Sequence, residues 1–256
     1  MKRKVLITGA SSGIGKAMAQ EFAKRGDSMF LTGRNEEALG ELQKKLQKKY
    51  HIQIYTMAVD LQEKNGVQRL YEESRKKMGD VDILVNNAGF GYVGEFLSCK
   101  KKVMEGMLRV NMEAVTELSF LFGGDMKKRR EGAILNVAST GSYHPGPYTA
   151  VYYATKAYVL SLSEALAKEW KNYGITVSAV CPGATKTKFS MRAGRRENPL
   201  AMSPEYVAKK AVKGLEKRKT VIIPGIFYRF FVKIPRKIAT YFIAAQQKNM
   251  SHNIDN

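Results

Sequence analysis

Three residues in the middle of the chain, Ser139, Tyr152 and Lys156, are the minimum equipment for handing a proton to a carbonyl. Tyr152 and Lys156 stand four residues apart in Val151-Tyr152-Tyr153-Ala154-Thr155-Lys156, and Ser139 lies thirteen residues before the tyrosine. On a helix, positions i and i+4 share a face, so phenol and ammonium can point into one site. A neighbouring ammonium favours the phenolate and brings the tyrosine pKa toward neutrality, where general acid–base work is efficient. Tyr153 is one position out of phase with Lys156 and is the poorer candidate. With thirteen tyrosines in the chain, the spacing alone arises easily by chance.

The second signal is Val5-Leu6-Ile7-Thr8-Gly9-Ala10-Ser11-Ser12-Gly13-Ile14-Gly15. A short apolar run reads as a buried strand, and Lys16 to Gly26 reads as the helix after it, with Ala17, Ala19, Phe22 and Ala23 inward. Glycines at a strand-to-helix turn let the backbone approach a pyrophosphate, which then sits on the helix N-terminus. The spacing is T-G-x-x-x-G-x-G rather than the commoner G-x-G-x-x-G.

Taken together, Thr8 to Gly15, Asp60-Leu61, Asn86-Asn87-Ala88-Gly89, Asn111, Ser139, Tyr152 with Lys156, and Pro182-Gly183 with Thr187 resemble the short-chain dehydrogenase/reductase family, in its single-domain branch. The motifs keep the family's order and approximate spacing over residues 3 to 224. The resemblance implies a site for each. Asn111, Ser139, Tyr152 and Lys156 would be catalytic: Asn111 positioning a relay water, Ser139 bonding the substrate oxygen, Tyr152 giving the proton. Gly9, Ser11, Ser12, Gly13, Ile14 and Gly15 would cradle the cofactor phosphates. Asp60 and Leu61 would flank the adenine, and Asn87, Ala88 and Gly89 its ribose side. Tyr152 and Lys156 would hold the other ribose, and Pro182, Gly183, Thr185 and Thr187 the carboxamide end. Ala138 departs from the pattern, since many relatives have a serine there.

The residues also bear on which cofactor binds. Gly33 stands where enzymes preferring an unphosphorylated ribose usually carry a carboxylate, and Arg34 follows. A guanidinium suits a 2′-phosphate, so NADP(H) is expected over NAD(H). Glu36 and Glu37 fit the first turn of the next helix, where carboxylates are favoured anyway.

The elements that must position these groups alternate. Strands are expected at Lys4–Thr8, Met29–Leu31, Gln53–Ala58, Ile83–Asn86, Ala133–Ala138, Thr176–Val180 and Val221–Ile223, with helices at Glu36–Lys49, Gly66–Met78, Ala114–Lys128, Tyr152–Asn172 and Pro204–Arg218. Such alternation argues for an α/β, Rossmann-like, doubly wound parallel sheet with helices on both faces. At 256 residues it fits one domain, residues 1–225, followed by a basic C-terminal extension, residues 226–256. Ligands of such sheets bind beyond the carboxyl ends of the strands, where Gly9, Ser139 and Pro182 would converge.

Composition narrows the rest. Cys99 and Cys181 lack metal-ligand spacing and suggest a reducing, cytoplasmic setting. His51 and His252 stand alone, so no metal site is expected. His144 lacks the carboxylate partner and nucleophile turn of a hydrolase. No nucleic-acid motif accompanies the net charge of +20, which can instead steer anionic cofactors.

Phe90, Tyr92, Phe96, Tyr143, Tyr148 and Phe189 are candidates for an apolar substrate pocket. The stretch from Thr187 to Ala201 is the expected lid, with Lys188, Arg192, Arg195 and Arg196 available to an acyl-carrier-linked substrate. Lys209 to Asn256 carries eleven Lys or Arg against Glu216 and Asp255, and Ile238, Tyr241, Phe242 and Ala245 form an apolar stripe. That stripe could pack on the domain or on a partner subunit, or lie on a membrane surface. The expected function is interconversion of a small-molecule carbonyl and secondary alcohol by a homodimer or homotetramer. A non-catalytic dinucleotide-binding sensor and a membrane-surface scaffold are the readings from other classes.

Overall fold

The computed structural model describes residues 2–187, 189 and 201–251. Apart from Thr187, Phe189 and Ala201, the expected lid, with Lys188, Arg192, Arg195 and Arg196, lies outside the described residues, as does His252. The strands are β1 (Lys4–Thr8), β2 (Ser28–Gly33), β3 (Ile54–Ala58), β4 (Ile83–Asn86), β5 (Gly132–Val137), β6 (Ile175–Val180) and β7 (Val221–Ile222). All pair in parallel, in the order β3-β2-β1-β4-β5-β6-β7. The helices are α1 (Gly13–Ala23), α2 (Glu36–Tyr50), α3 (Gly66–Met78), α4 (Lys101–Leu108), α5 (Ala114–Arg129), α6 (Ala150–Glu169), α7 (Pro204–Glu216), α8 (Ile226–Phe231) and α9 (Arg236–Ser251).

The sheet is covered on both sides because its strands are apolar on both. Val5 and Ile7 of β1 pack with Phe22 of α1, Leu39 of α2 and Val212 of α7, whereas Leu6 faces Leu70 of α3 and Phe122 of α5. Alternate side chains of a strand point to opposite faces, so each strand anchors two helical layers. The strand order reverses between β1 and β4, which opens a crevice at their carboxyl ends.

Buried polar groups fix the strand ends at that crevice. Thr8 Oγ1 donates to the Val85 carbonyl (3.3 Å) and accepts from the amides of Asn87 (3.0 Å) and Ala88 (2.9 Å). Asn86 Nδ2 donates to Asn136 Oδ1 (2.9 Å), and Asn136 Nδ2 to Ser163 Oγ (2.9 Å), so β4, β5 and α6 are cross-linked through one buried chain. Removing one member would strand its partner without a hydrogen bond, at about 1–3 kcal/mol.

Three differences from the sequence expectation bear on the site. Helix α1 begins at Gly13 rather than Lys16, because Ser12 is extended (φ −159°, ψ 172°) and makes no side-chain cap. Helix α4 was not anticipated, since only Gly106 and Met107 are buried and little apolar periodicity remains to read. Between α4 and α5 the helix widens into one π-turn, Arg109–Glu113, closed by the Ala114 amide on the Arg109 carbonyl. Such turns insert a residue and often mark functional positions, and this one holds Asn111.

Candidate active site

A cavity of about 1440 Å³ lies over the carboxyl ends of β1, β4, β5 and β6. Of the residues singled out in the sequence for catalysis or cofactor binding, all but Gly15 and Asn111 line it.

At one end is the β1–α1 turn. Gly9 has φ +65° and Gly13 φ +54°, values a side chain rarely adopts. A Cβ on Gly9 would press on Ala88, and one on Gly13 on the Thr187 methyl. Gly15 sits behind this wall, where a Cβ would collide with Asn87 Nδ2 and the Gly9 carbonyl. Asn87 Nδ2 donates to the carbonyls of Thr8 (2.9 Å) and Gly9 (3.1 Å), so its side chain braces the turn. With no cap at Ser12, the first-turn amides of α1 face a hollow suited to an anion.

The neighbouring wall comes from the end of β2. Gly33 packs against Ser11, whose Oγ is 3.1 Å from where a Cβ would be, so a longer residue would intrude. Arg34 is more than half exposed and lies 3.8 Å from Asp60 Oδ2. At that exposure the pair is weak, and the guanidinium is cheaply redirected. Asp60 Oδ1 also accepts from the Gln62 amide (2.9 Å), capping its loop. Asn35 caps α2 by accepting from the Ala38 amide (2.8 Å), which puts Glu36 and Glu37 in the first helical turn.

The opposite wall holds the tyrosine. Helix α6 carries Tyr152 and Lys156 on one buried face, with the Lys156 ammonium 5.9 Å from the centre of the Tyr152 ring. Lys156 Nζ donates to the Val137 carbonyl (2.7 Å). Burial pushes its pKa down from 10.5 to about 8, so the group stays mostly charged at pH 7. Ser139 caps the turn Thr140–Tyr143, its Oγ accepting from the Gly141 amide (3.0 Å) and keeping its own hydrogen to donate. Ser142 Oγ donates to the Lys156 carbonyl (2.7 Å) and ties this turn to α6.

Asn111 is fully buried behind the cavity rather than in its wall. Its Nδ2 donates to the Phe90 carbonyl (2.9 Å) and to Thr155 Oγ1 (3.1 Å), and its Oδ1 accepts from the Phe90 amide (3.1 Å). Thr155 in turn donates to the Tyr152 carbonyl (2.7 Å). Thr155, missed in the sequence, thus links the π-turn to the tyrosine's helix. Its place three residues after Tyr152 was the available signal.

Only Phe90 and Phe189 of the six aromatic candidates line the cavity. Tyr143 turns to Cys181 instead, and burial raises its pKa. Tyr153 and Tyr206 also line the cavity, and a further aromatic wall comes from the C-terminal segment. Tyr228 seats its ring against Gly183, and its hydroxyl accepts from the Ala184 amide (3.0 Å). His144, its pKa lowered chiefly by burial, contacts the Phe231 carbonyl through Nε2 (3.3 Å) and the Phe231 ring edge-on. Ile243, Gln246 and Gln247 of α9 close the far side. Gln247 is buried and its Oε1 has no hydrogen-bond partner. The segment does pack on the domain, but through Ala239, Ile243 and Gln247, while Ile238, Tyr241 and Phe242 of the stripe read from the sequence stay exposed.

Comparison with known proteins agrees with this geometry. The short chain dehydrogenase family profile matches residues 3–198. An uncharacterised oxidoreductase from Staphylococcus saprophyticus is 30% identical over 226 residues, covering 88% of this chain and 95% of its own. The very-long-chain 3-oxoacyl-CoA reductase of Macaca fascicularis is 32% identical over 222 residues, 83% of this chain and 69% of that protein. A short-chain dehydrogenase from Sphingobium yanoikuyae, solved in complex with NADPH, superposes with a TM-score of 0.84 at 31% identity, covering 97% of this chain and 95% of that one. A matched profile over most of the chain, the parallel sheet and the gathered motifs lead to one assignment: the chain belongs to the short chain dehydrogenase family of oxidoreductases.

Proposed function

We propose that the protein is an NADP(H)-dependent reductase that interconverts a carbonyl and a secondary alcohol, with Tyr152 as general acid and base. The observation that carries this reading is the convergence of Ser139, Tyr152 and Lys156 on one wall of a cavity whose other end is the glycine turn of α1.

The residues fit a dinucleotide. Glycine at 9 and 13 lets the turn hold its positive φ and close packing, and the uncapped amides of α1 suit a pyrophosphate. Arg34, with Gly33 beside it in place of a carboxylate, would take a 2′-phosphate. Asp60 and Leu61 would border the adenine. Ala88 and Gly89 would lie along its ribose, and Pro182, Gly183, Thr185 and Thr187 would receive the carboxamide end. When bound, the cofactor supplies the hydride. The chain's own part is positional and protonic. Ser139 donates a hydrogen bond to the substrate oxygen, and Tyr152 delivers a proton to it. Lys156 holds ribose hydroxyls and, charged at neutral pH, favours the tyrosinate between turnovers. Asn111 holds the Phe90 backbone and, through Thr155, the helix of Tyr152. The relay water expected at Asn111 belongs to the same proposal.

The substrate inferred is bulky and largely apolar, because Phe90, Tyr228 and Phe231 line the same cavity as Tyr152, and Phe189 packs on its ring. An acyl chain on a carrier or thioester fits that space, and the name of the Macaca relative supports the same class. Exposed Leu108 and Phe120, 37% and 76% accessible, support pairing into a homodimer or homotetramer through the helices beginning near Asn111 and Tyr152. The cytoplasm suits two free thiols.

NADPH consumption with a panel of aliphatic and aromatic ketones and 3-oxoacyl thioesters tests the reading. Turnover that falls in the Tyr152→Phe variant is expected. Dinucleotide binding without turnover of any carbonyl would make the protein a sensor instead.

A further inference from the structure

Helices α8 and α9 each show two faces. Inward, Tyr228 and Phe231 reach the cavity, and Ala239, Ile243 and Gln247 are buried at a spacing of four. Outward, Ile226, Phe227 and Phe230 on α8 and Ile238, Tyr241 and Phe242 on α9 remain between 51% and 75% exposed. The turn between the helices is short, held by the Lys233 amide on the Phe230 carbonyl and the Ile234 amide on that of Phe231. Exposed cations lie among the exposed rings: Arg229, Lys233, Arg236 and Lys237. Ile226 and Phe227 belong both to this outer surface and to the lining of the cavity, so the mouth opens at its edge.

We propose that the outer faces of α8 and α9 dock the protein on anionic phospholipid bilayers. Large apolar side chains interleaved with cations match an interface in which rings enter the headgroup layer and ammonium and guanidinium groups meet lipid phosphates. The charge of the segment selects this occupant. No Asp or Glu occurs between Glu216 and Asp255, so a second copy seated on the same surface by a two-fold axis would bring cation against cation. The chain segment 190–200 would meet like charge too, carrying Arg192, Arg195 and Arg196 against Glu197. Among the described residues, no helix is long and apolar enough to cross a membrane, so attachment is to the surface.

Co-sedimentation of the full-length protein with vesicles tests this, using phosphatidylcholine alone and phosphatidylcholine mixed with phosphatidylglycerol, at low and moderate salt. Pelleting is expected with the mixed vesicles at low salt, weakening several-fold as salt rises, and little with phosphatidylcholine alone. The triple variant Phe230→Ser, Tyr241→Ser, Phe242→Ser should partition about tenfold less or worse, because it removes the inserted groups. Lys233→Glu with Lys237→Glu should act similarly through the charge. None of these side chains lines the cavity, so unchanged melting and unchanged turnover of a water-soluble ketone are expected and show that the variants fold.

Absence of pelleting at low salt overturns the proposal, as does undiminished binding of the triple variant. So does equal binding to both vesicle types. A triple variant that light scattering shows to be a smaller assembly than the parent also overturns it, because the surface would then be a contact between copies. Pelleting requires no turnover, so its failure is distinct from failure of the reductase reading.

Discussion

Replacing Tyr152 by Phe removes one hydroxyl while leaving the ring's packing on Phe189 and Tyr153 in place. Turnover should fall at least about a hundredfold, the scale for loss of a general acid, with dinucleotide titration unchanged; activity within a few-fold of the parent would end the proposed mechanism. Tyr153→Phe should be mild. Arg34→Ala should weaken NADPH binding by about 1.5–3 kcal/mol, the worth of a hydrogen bond to a charged group, and leave NADH binding nearly as it was. Matching NADPH and NADH curves for the parent protein would reduce Arg34 to a surface residue. Lys156 gives a test in pH. Burial lowers its pKa from 10.5 to about 8, so between these values the unfolded chain holds a proton that the folded protein has released. Stability from this group therefore rises with pH across that window. The unfolding free energy of the parent, from urea titration, should gain on that of Lys156→Met by up to about 1.4 kcal/mol per pH unit. A constant gap would mean that the ammonium is not desolvated.

Parallel strands buried on both faces are continuous apolar runs, which is why β1 and β4 could be read from the sequence to the residue and the others to within three residues at either end. The tyrosine, lysine and glycine positions were legible for a related reason, since i, i+4 spacing and a strand-to-helix turn are local geometry. Contacts between remote segments were not. Nothing in Pro182-Gly183-Ala184 announces that Tyr228 will seat on it, and the sequence, which suggests Asn111 as the holder of a relay water, gives no hint that its amide is committed to Phe90 and Thr155. The Tyr228–Ala184 hydrogen bond ties this C-terminal cover to the cavity wall. Tyr228→Phe loses a hydrogen bond worth about 1 kcal/mol. Amide exchange across α8 should therefore quicken and KM for a bulky ketone rise, with the melting temperature nearly unmoved. Unaltered exchange would show that the cover is held by ring packing alone.

At the scale of the whole molecule, a net charge of +20 surrounds a site proposed to take a polyanionic cofactor. Field steering then predicts that kcat/KM for NADPH falls as ionic strength rises, while kcat at saturation changes little. A salt-independent kcat/KM would show that the lysine-rich surface serves only solvation. The π-turn at Arg109–Glu113 has a consequence for how this chain tolerates insertions and deletions. The turn takes up its extra residue by itself, so deleting that residue would leave a regular helix with both flanks near their present faces, whereas deleting one from the last turn of α4 would rotate the flanks by about 100°. Leu118, Phe122 and Met126 give α5 the firmer hold on the core, so α4 would turn, carrying Met107 out of its burial and Gly106 away from Phe90 and Gln62. A change of length that the π-turn absorbs would thus be disabling one turn before it.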